Sequence, residues 1–336
     1  MTSDTNILRE LYRVGDGGIS GAVLAERMKV SRAAVWARIE ELRKAGFEIE
    51  ASPHHGYRLL VAPDRLLGDD IRARLSPVKR IGWQVQVFRE TSSTNELADR
   101  LGRDGVREGA VVFAEFQTKG RGRLGRSWFS PGEKGILMSV LLRPALRPME
   151  ATRLTVLGAT AVARAIERCG SVRPEIKWPN DIMLDGRKVA GILTEMNAEL
   201  DRVRYLVLGI GLNVNQVKGD FPPEIKDLST SIRLQAGLKI NRAALAAAII
   251  EELDRDYALV VDGKFSRVRE EWESKCSTIG QSVSVQVGDS VTRGIAEAID
   301  DEGALLVRSS SNQLHRVMGG DVSLHGGGAR VTTGGL

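Results

Sequence analysis

Residues 119–126 read Lys-Gly-Arg-Gly-Arg-Leu-Gly-Arg, with four cations, three glycines and no acid. Glycine lets the backbone turn tightly and present its N–H groups to a ligand. Unpaired guanidinium is too costly to bury, so this stretch is a loop rather than core. A guanidinium fork matches phosphate or carboxylate. The loop is therefore expected to close over an anion. The same residues satisfy G-x-G-x-x-G, which reads as a dinucleotide site when a helix follows. Ser-Trp-Phe-Ser-Pro131-Gly132 follows instead, and Pro-Gly argues against a helix there. The plainer alternative is a solvated basic loop.

The second cluster is Lys177-Trp178-Pro179-Asn180-Asp181. Proline restricts the residue before it and stiffens the segment. A lysine, an amide and a carboxylate at a strand-turn junction can hold nucleotide phosphates and a hydrated Mg²⁺. A turn capped by Asn or Asp would account for Pro-Asn-Asp alone, but not for the flanking Lys and Trp. Lys188 opens a strand that is otherwise apolar, though most lysines are simply exposed. Gly209-Ile-Gly-Leu-Asn213 ends another strand with an amide at its tip, where sites on α/β scaffolds often lie.

The elements that must position these residues fall into three blocks. Near the N-terminus, Leu24, Ala25 and Met28 share a helical face. Ser31 then suits an N-cap, and Val35, Ile39 and Leu42 make the stripe of a second helix, with Gly46 at its stop. A short turn between two such helices is a helix-turn-helix. Phe47 to Glu50, a turn at 53–56 and Tyr57 to Leu60 read as a β-hairpin, which completes a winged helix. Ser31, Arg32, Ala33, Trp36 and Arg38 lie at the start or on the outer side of the second helix, the part that enters a major groove. His54 and His55 are expected as exposed turn residues. Residues 63–80 are expected to be a linker.

The middle block, 81–272, alternates strands and helices. Ala110–Phe116 and Ile136–Leu142 are apolar strands, and Met149–Arg168 is a helix rich in small residues. Asp181–Leu184 and Val189–Met196 form a hairpin around Asp185-Gly186. Arg204–Asn213 is a strand, and Asn241–Val260 is a helix carrying Leu245, Ile249, Leu253 and Tyr257 on one side. The last block, 273–325, has short alternating segments at 282–287, 294–298, 304–307 and 314–317, and predicts a small β-barrel or sandwich. The glycine-rich residues 326–336 are expected to be a disordered tail.

Composition narrows the class. The 336 residues suggest two or three domains, with 42% hydrophobic and 27% charged residues, as in folded soluble proteins. No run of apolar residues is long enough to cross a membrane, and no apolar signal core begins the chain. Cys169 and Cys276 are the only cysteines, too few for a disulfide framework or a four-ligand zinc site. Reduced thiols in the cytoplasm are expected. The net charge is +5, while residues 1–60 hold nine Lys/Arg and eight Asp/Glu. Any DNA contact must therefore come from local placement rather than bulk charge.

Taken in order, Ser93-Thr94-Asn95, Glu115-Phe-Gln117 with the loop to Arg126, Lys177 to Asp181, Gly186-Arg-Lys188-Val-Ala-Gly-Ile-Leu and Gly211-Leu-Asn213 resemble the biotin–protein ligase family. Ser31-Arg-Ala-Ala-Val-Trp36 and Gly56-Tyr-Arg-Leu make the chain similar to its bifunctional ligase/repressor members. The resemblance runs from about residue 19 to 324. Lipoate ligases share the fold but lack the arginine-glycine loop. Two departures stand out. Leu124 replaces a frequent arginine, and His325 stands near a position where some members carry a nucleotide-contacting arginine.

The resemblance implies a winged helix, a central α/β (α+β) domain like class II aminoacyl-tRNA synthetases, and an SH3-like C-terminal barrel. It implies that biotin and ATP form biotinyl-5′-AMP with Mg²⁺, and that biotin passes to a lysine of biotin carboxyl carrier protein. It implies further that the adenylate promotes a homodimer that binds operator DNA. Lys188 and Arg123 take the catalytic roles. Ser93, Thr94, Asn95, Gln117, Arg121, Gly122, Arg123 and Lys188 line biotin. Gly120, Arg121, Arg123, Arg126, Trp128, Lys177, Asn180 and Asn213 meet ATP or the adenylate. The protein itself supplies no assigned metal ligand; Mg²⁺ arrives with ATP. A ligase with no role in transcription, and a biotin-sensing repressor without turnover, remain open at the level of sequence.

Overall fold

The computed structural model describes residues 2–324. His325 and the glycine-rich tail lie outside the described residues.

The N-terminal block packs α1 (Ser3–Val14), α2 (Gly21–Met28) and α3 (Arg32–Lys44) beside a hairpin of β1 (Glu48–Ser52) and β2 (Gly56–Val61). Side-chain oxygens start each helix. Thr2, Ser20 and Ser31 accept from the N–H groups of Thr5, Val23 and Ala34. Ile7, Leu8 and Leu11 meet Leu24, Val35, Ile39, Phe47 and Ile49 in one small core. This is the expected winged helix.

The expected linker is more structured than its polar composition suggests. It contains α4 (Gly68–Arg74), whose Asp70 is fully buried and accepts from Tyr12 of α1 and Arg74. Its ends are tied to the catalytic block. Asp254 accepts from the N–H groups of Lys79, Arg80 and Ile81, and Glu251 accepts from Ser76 N–H. Glycine and proline punctuation hid this helix, since its anchors lie far away in sequence.

The middle block is built on seven strands: β3 (Gln84–Thr91), β4 (Ala110–Gln117), β5 (Gly135–Leu142), β6 (Glu175–Lys177), β7 (Asp181–Leu184), β8 (Arg187–Ala198) and β9 (Val203–Asn213). Their order is β3-β4-β5-β9-β8-β7-β6, and only β3 and β4 run parallel. On one face lie α6 (Thr152–Gly170), α8 (Arg242–Val261) and α9 (Phe265–Lys275), with the short α7 (Ile232–Ala236) against α6. Gly158 of α6 lets that helix approach Ile192 and Leu208 closely. On the other face lies α5 (Thr94–Arg103), whose Ala98 packs on Val112, Leu141, Tyr205 and Val207. Both faces of β4 and β5 are covered, which explains why these strands read as continuous apolar runs.

The C-terminal block is an antiparallel sheet of β10 (Ser282–Val287), β11 (Ser290–Ile299), β12 (Leu305–Arg308), β13 (Leu314–Val317) and β14 (Asp321–Leu324), in the order β13-β12-β11-β10-β14. Sequence periodicity missed β14, which has only four residues. That strand matters because it faces the central cleft.

Candidate functional site

Strand alternation builds the floor of the cleft. Along β9, Tyr205 and Val207 pack under α5, and the next two residues on that face are Gly209 and Gly211. Gly211 pairs with Gly191 of β8. Without side chains, this part of the sheet forms a shallow bed. A Cβ on Gly209 would come within 2.2 Å of Asn95 Oδ1, and one on Gly211 within 2.5 Å of the Trp128 indole. The glycines exist so that an amide and an aromatic ring can lie flat on the sheet. The Trp128 indole N–H is buried without a hydrogen-bond partner among the described residues.

One end of the cleft is lined by amide and hydroxyl groups joined in a hydrogen-bond network. Gln117 Oε1 accepts from Thr94 N–H at 2.7 Å and from the Thr94 hydroxyl at 2.9 Å. The Ser139 hydroxyl lies 2.7 Å from that of Thr94 and donates to Asn95 Oδ1. Asn95 Nδ2 donates to Glu195 at 2.6 Å, and Arg121 reaches the same carboxylate at 3.3 Å. Ser93, Thr94, Asn95 and Ser139 are all buried. The start of α5 thus supplies amide and hydroxyl groups held by a network, suited to a ligand with both donors and acceptors.

The other end is cationic. Arg123 donates to Asn180 at 3.3 Å, and Asn180 itself is pinned by donating to Ile192 C=O at 2.8 Å. Burial holds the Arg123 guanidinium below its ordinary value, against the pull of Asp181 and Asp321. A desolvated cation with no ion pair among the described residues is poised for an anion. Lys188 Nζ sits 2.5 Å from Asp181 Oδ1, as an ion pair outside hydrogen-bond geometry. The ammonium also lies 5.7 Å from the Trp128 ring centre. Lys177 lines the same wall.

The arginine-glycine loop is folded rather than extended. Gly122 N–H donates to Arg126 C=O, and Trp128 N–H donates to Gly120 C=O. Leu124 adopts φ 56°, a left-handed conformation in which Cβ crowds the following carbonyl oxygen. Arg126 donates to Asp321 of β14 at 2.5 Å, which brings the C-terminal block to the rim. The loop therefore sits over the cleft it was expected to close.

Of the sequence candidates, Ser93, Thr94, Asn95, Gln117, Arg121, Gly122, Arg123, Arg126, Trp128, Lys177, Asn180 and Lys188 line this one cleft. Gly120 and Asn213 do not line it. Gly120 accepts from Trp128 at the base of the loop, and the Asn213 amide donates to Thr230 C=O and accepts from Gln216. Asn213 thus holds the chain beyond β9. Sequence reasoning missed Ser139, Glu195, Asp321 and the floor role of Gly191, Gly209 and Gly211. Only the glycines left a signal, in their alternation along β9.

In the N-terminal block, α3 presents Arg32, Ala33 and Trp36 to solvent, with Trp36 58% exposed. Arg38 points the same way but grips Asp4 of α1 with two nitrogens.

Comparison with known proteins follows this division. Residues 5–58 match a helix-turn-helix (HTH) domain family, 87–213 the biotin/lipoate A/B protein ligase family, and 278–325 the biotin protein ligase C-terminal domain. The bifunctional ligase/repressor BirA of Bacillus subtilis is 39% identical over 318 residues, 94% of this chain and 97% of that one. The protein of the same name from Escherichia coli is 31% identical over 91% of this chain and 92% of its own. Among solved structures, the biotin protein ligase from Aquifex aeolicus in complex with biotin and ATP is similar at TM-score 0.62. It is 28% identical and covers 72% of this chain and 99% of its own.

Proposed function

Because this chain belongs to the biotin protein ligase family and carries that family's helix-turn-helix, ligase and C-terminal domains, we propose that it biotinylates a carrier protein and represses transcription in response to biotin. The observation that carries the reading is the polarity of one cleft. A neutral shelf of Thr94, Asn95 and Gln117 adjoins Arg121, Arg123, Arg126, Lys177 and Lys188.

The shelf suits the ureido ring of biotin, which both donates and accepts. The cations bring the biotin carboxylate and the triphosphate together, two anions that otherwise repel. The carboxylate oxygen then attacks the α-phosphorus, and pyrophosphate leaves. Lys188 and Arg123 stabilise charge developing on the α-phosphate oxygens. The product is a mixed anhydride. An acceptor lysine amine attacks its carbonyl carbon, AMP leaves and an amide forms. Trp128, on its glycine bed, lies where an adenylate can stack. Closure of the loop keeps water from the anhydride. Mg²⁺, when bound with ATP, neutralises phosphate charge. The ion would be carried by the triphosphate, since the Asp181 carboxylate of this wall is already paired with Lys188.

For regulation, α3 is the reading helix, with Ser31 capping it and Arg32, Ala33, Trp36 and Arg38 at its outer side. Two copies brought together by biotinyl-5′-AMP would place two such helices on a palindromic operator. Among the described residues no helix is long and apolar enough to cross a membrane, and a cytoplasmic setting suits the ATP, carrier and DNA partners. The test is direct. Purified protein, biotin, ATP and Mg²⁺ are mixed with a biotin carboxyl carrier domain, and biotin on its lysine is measured by mass. Transfer supports the reading; biotin binding without transfer would leave a sensor.

A further inference from the structure

Arg242, at the start of α8, is the largest fully buried charged side chain among the described residues. Its position is unusual. Its guanidinium donates to Glu115 of β4, to Gly135 C=O at 3.1 Å, and to the side chain (2.9 Å) and backbone carbonyl (2.8 Å) of Asp64. Glu115 in turn accepts from Leu66 N–H at 2.7 Å. Asp64 is also held by Lys239 at 2.9 Å and Asn215 at 3.3 Å.

The three partners belong to two different functional parts. Glu115 stands two residues before Gln117, at the incoming stem of the arginine-glycine loop, with its side chain bonded to Arg242 of α8 while that of Gln117 bonds Thr94 of α5. Gly135 opens β5, where that loop returns to the sheet. Glu133 N–H, just before it, donates to Glu115 C=O. Asp64 and Leu66 lie between the wing and α4, and α4 is bonded to α1 through Asp70, Tyr12 and Arg74. One desolvated cation therefore ties both stems of the substrate loop to the segment that carries the winged helix. A buried ion network is a poor stabiliser but a strict fixer of geometry, because breaking any arm leaves an uncompensated charge.

We propose that the Arg242–Glu115–Asp64 cluster is a positioning device that couples the state of the substrate loop to the linker of the winged helix. The proposal rests on the biotin-site reading above. Shifts of the loop stems move Glu115 and Gly135, and Arg242 passes them to Asp64. The physical warrant is a shared rigid element that both ends bias. Asp64 is the arm to cut, since it is partly exposed and touches no cleft residue.

The experiment is hydrogen exchange on the full chain, with and without biotin plus a non-hydrolysable ATP analogue, for wild type and Asp64→Ala. In the wild type, ligand should slow exchange at residues 93–95 and 117 and also, severalfold, at 64–75, outside the cleft. In Asp64→Ala the cleft should stay protected by ligand, while the response at 64–75 disappears. Asp64→Asn, which keeps a hydrogen-bond acceptor, should restore part of it. A merely structural role for Asp64 would raise linker exchange with and without ligand while preserving the ligand response, and that result overturns the proposal. So does a wild-type linker that ignores ligand while the cleft responds. Absence of ligand protection at 93–95 and 117 would instead remove the biotin-site reading, and the proposal with it.

Discussion

Replacing Lys188 by alanine tests the charge arrangement of the cleft more sharply than a simple loss of function would. The ammonium lies 2.5 Å from Asp181, so a phosphate arriving at this wall meets a nearly neutral pair. Two losses follow from Lys188→Ala. One donor aimed at the developing phosphate charge disappears, at a cost of about 10²–10³ in rate. The Asp181 carboxylate is also left bare. At a separation of roughly 5 Å and an effective dielectric near 20, it would repel a phosphate charge by about 3 kcal/mol. Both side chains are about one-third exposed, so screening cuts that to about 1.4 kcal/mol, or tenfold. The single variant should therefore lose about 10³–10⁴, and Lys188→Ala with Asp181→Asn only about 10²–10³. The strand should survive, because its pairing to Leu228 and Thr230 uses the Lys188 main chain. The assay is biotin-dependent exchange of labelled pyrophosphate into ATP, with a thermal melt as the folding control. A double variant no faster than the single one would refute the charge-cancelling role of the pair. Near wild-type exchange in Lys188→Ala would remove Lys188 from the chemistry.

Gly211→Val puts atoms where the Trp128 indole lies, within 2.5 Å at Cβ alone. It should raise the KM for ATP about tenfold, the worth of a lost aromatic contact, while biotin affinity, read by calorimetry, changes little. Asp4→Ala frees Arg38 from its bidentate grip. DNA binding should strengthen, and the slope of log affinity against log salt should steepen by about one; an unchanged slope would place Arg38 off the DNA face. Asp300 is partly buried, which opposes ionisation, yet bonds from Arg316 and from the N–H groups of Glu302 and Ala304 hold its carboxyl below the usual range. A carboxyl lowered on folding stabilises the native state above its unfolded pKa, and that contribution fades as pH falls through the folded value. Asp300→Asn should therefore flatten the acid limb of stability in urea titrations below about pH 4; an acid limb as steep as wild type would count against it.

Much of the catalytic core could be read from the chain because its signals are local. The helix over residues 31–44 declares itself by Ser31 and the Val35, Ile39, Leu42 stripe, and the hairpin at 181–196 by Asp185-Gly186, with φ 50° and 69°. The arginine-glycine loop could be recognised because no core can accept it. The helix at 68–74 was lost among linker punctuation, because what holds it is Tyr12 on one side and α8 on the other. The strand at 321–324 is too short to show a period and is defined by its pairing with β10.

Residue types and spacing alone determined that a basic, glycine-rich loop, a Lys-Trp-Pro-Asn-Asp turn and a capped reading helix exist, in that chemistry and at those positions. These follow from steric and electrostatic rules acting over a few residues. The tertiary structure alone decided which group answers which charge. Arg126 meets Asp321, 195 residues away, and Arg242 meets Glu115, 127 residues away. The Gly209 and Gly211 bed becomes a site only when Asn95 at the start of α5 and Trp128 fold onto it. Contacts at such separations leave no local pattern, because their free energy is gained only once the sheet has closed and water has left the groups involved.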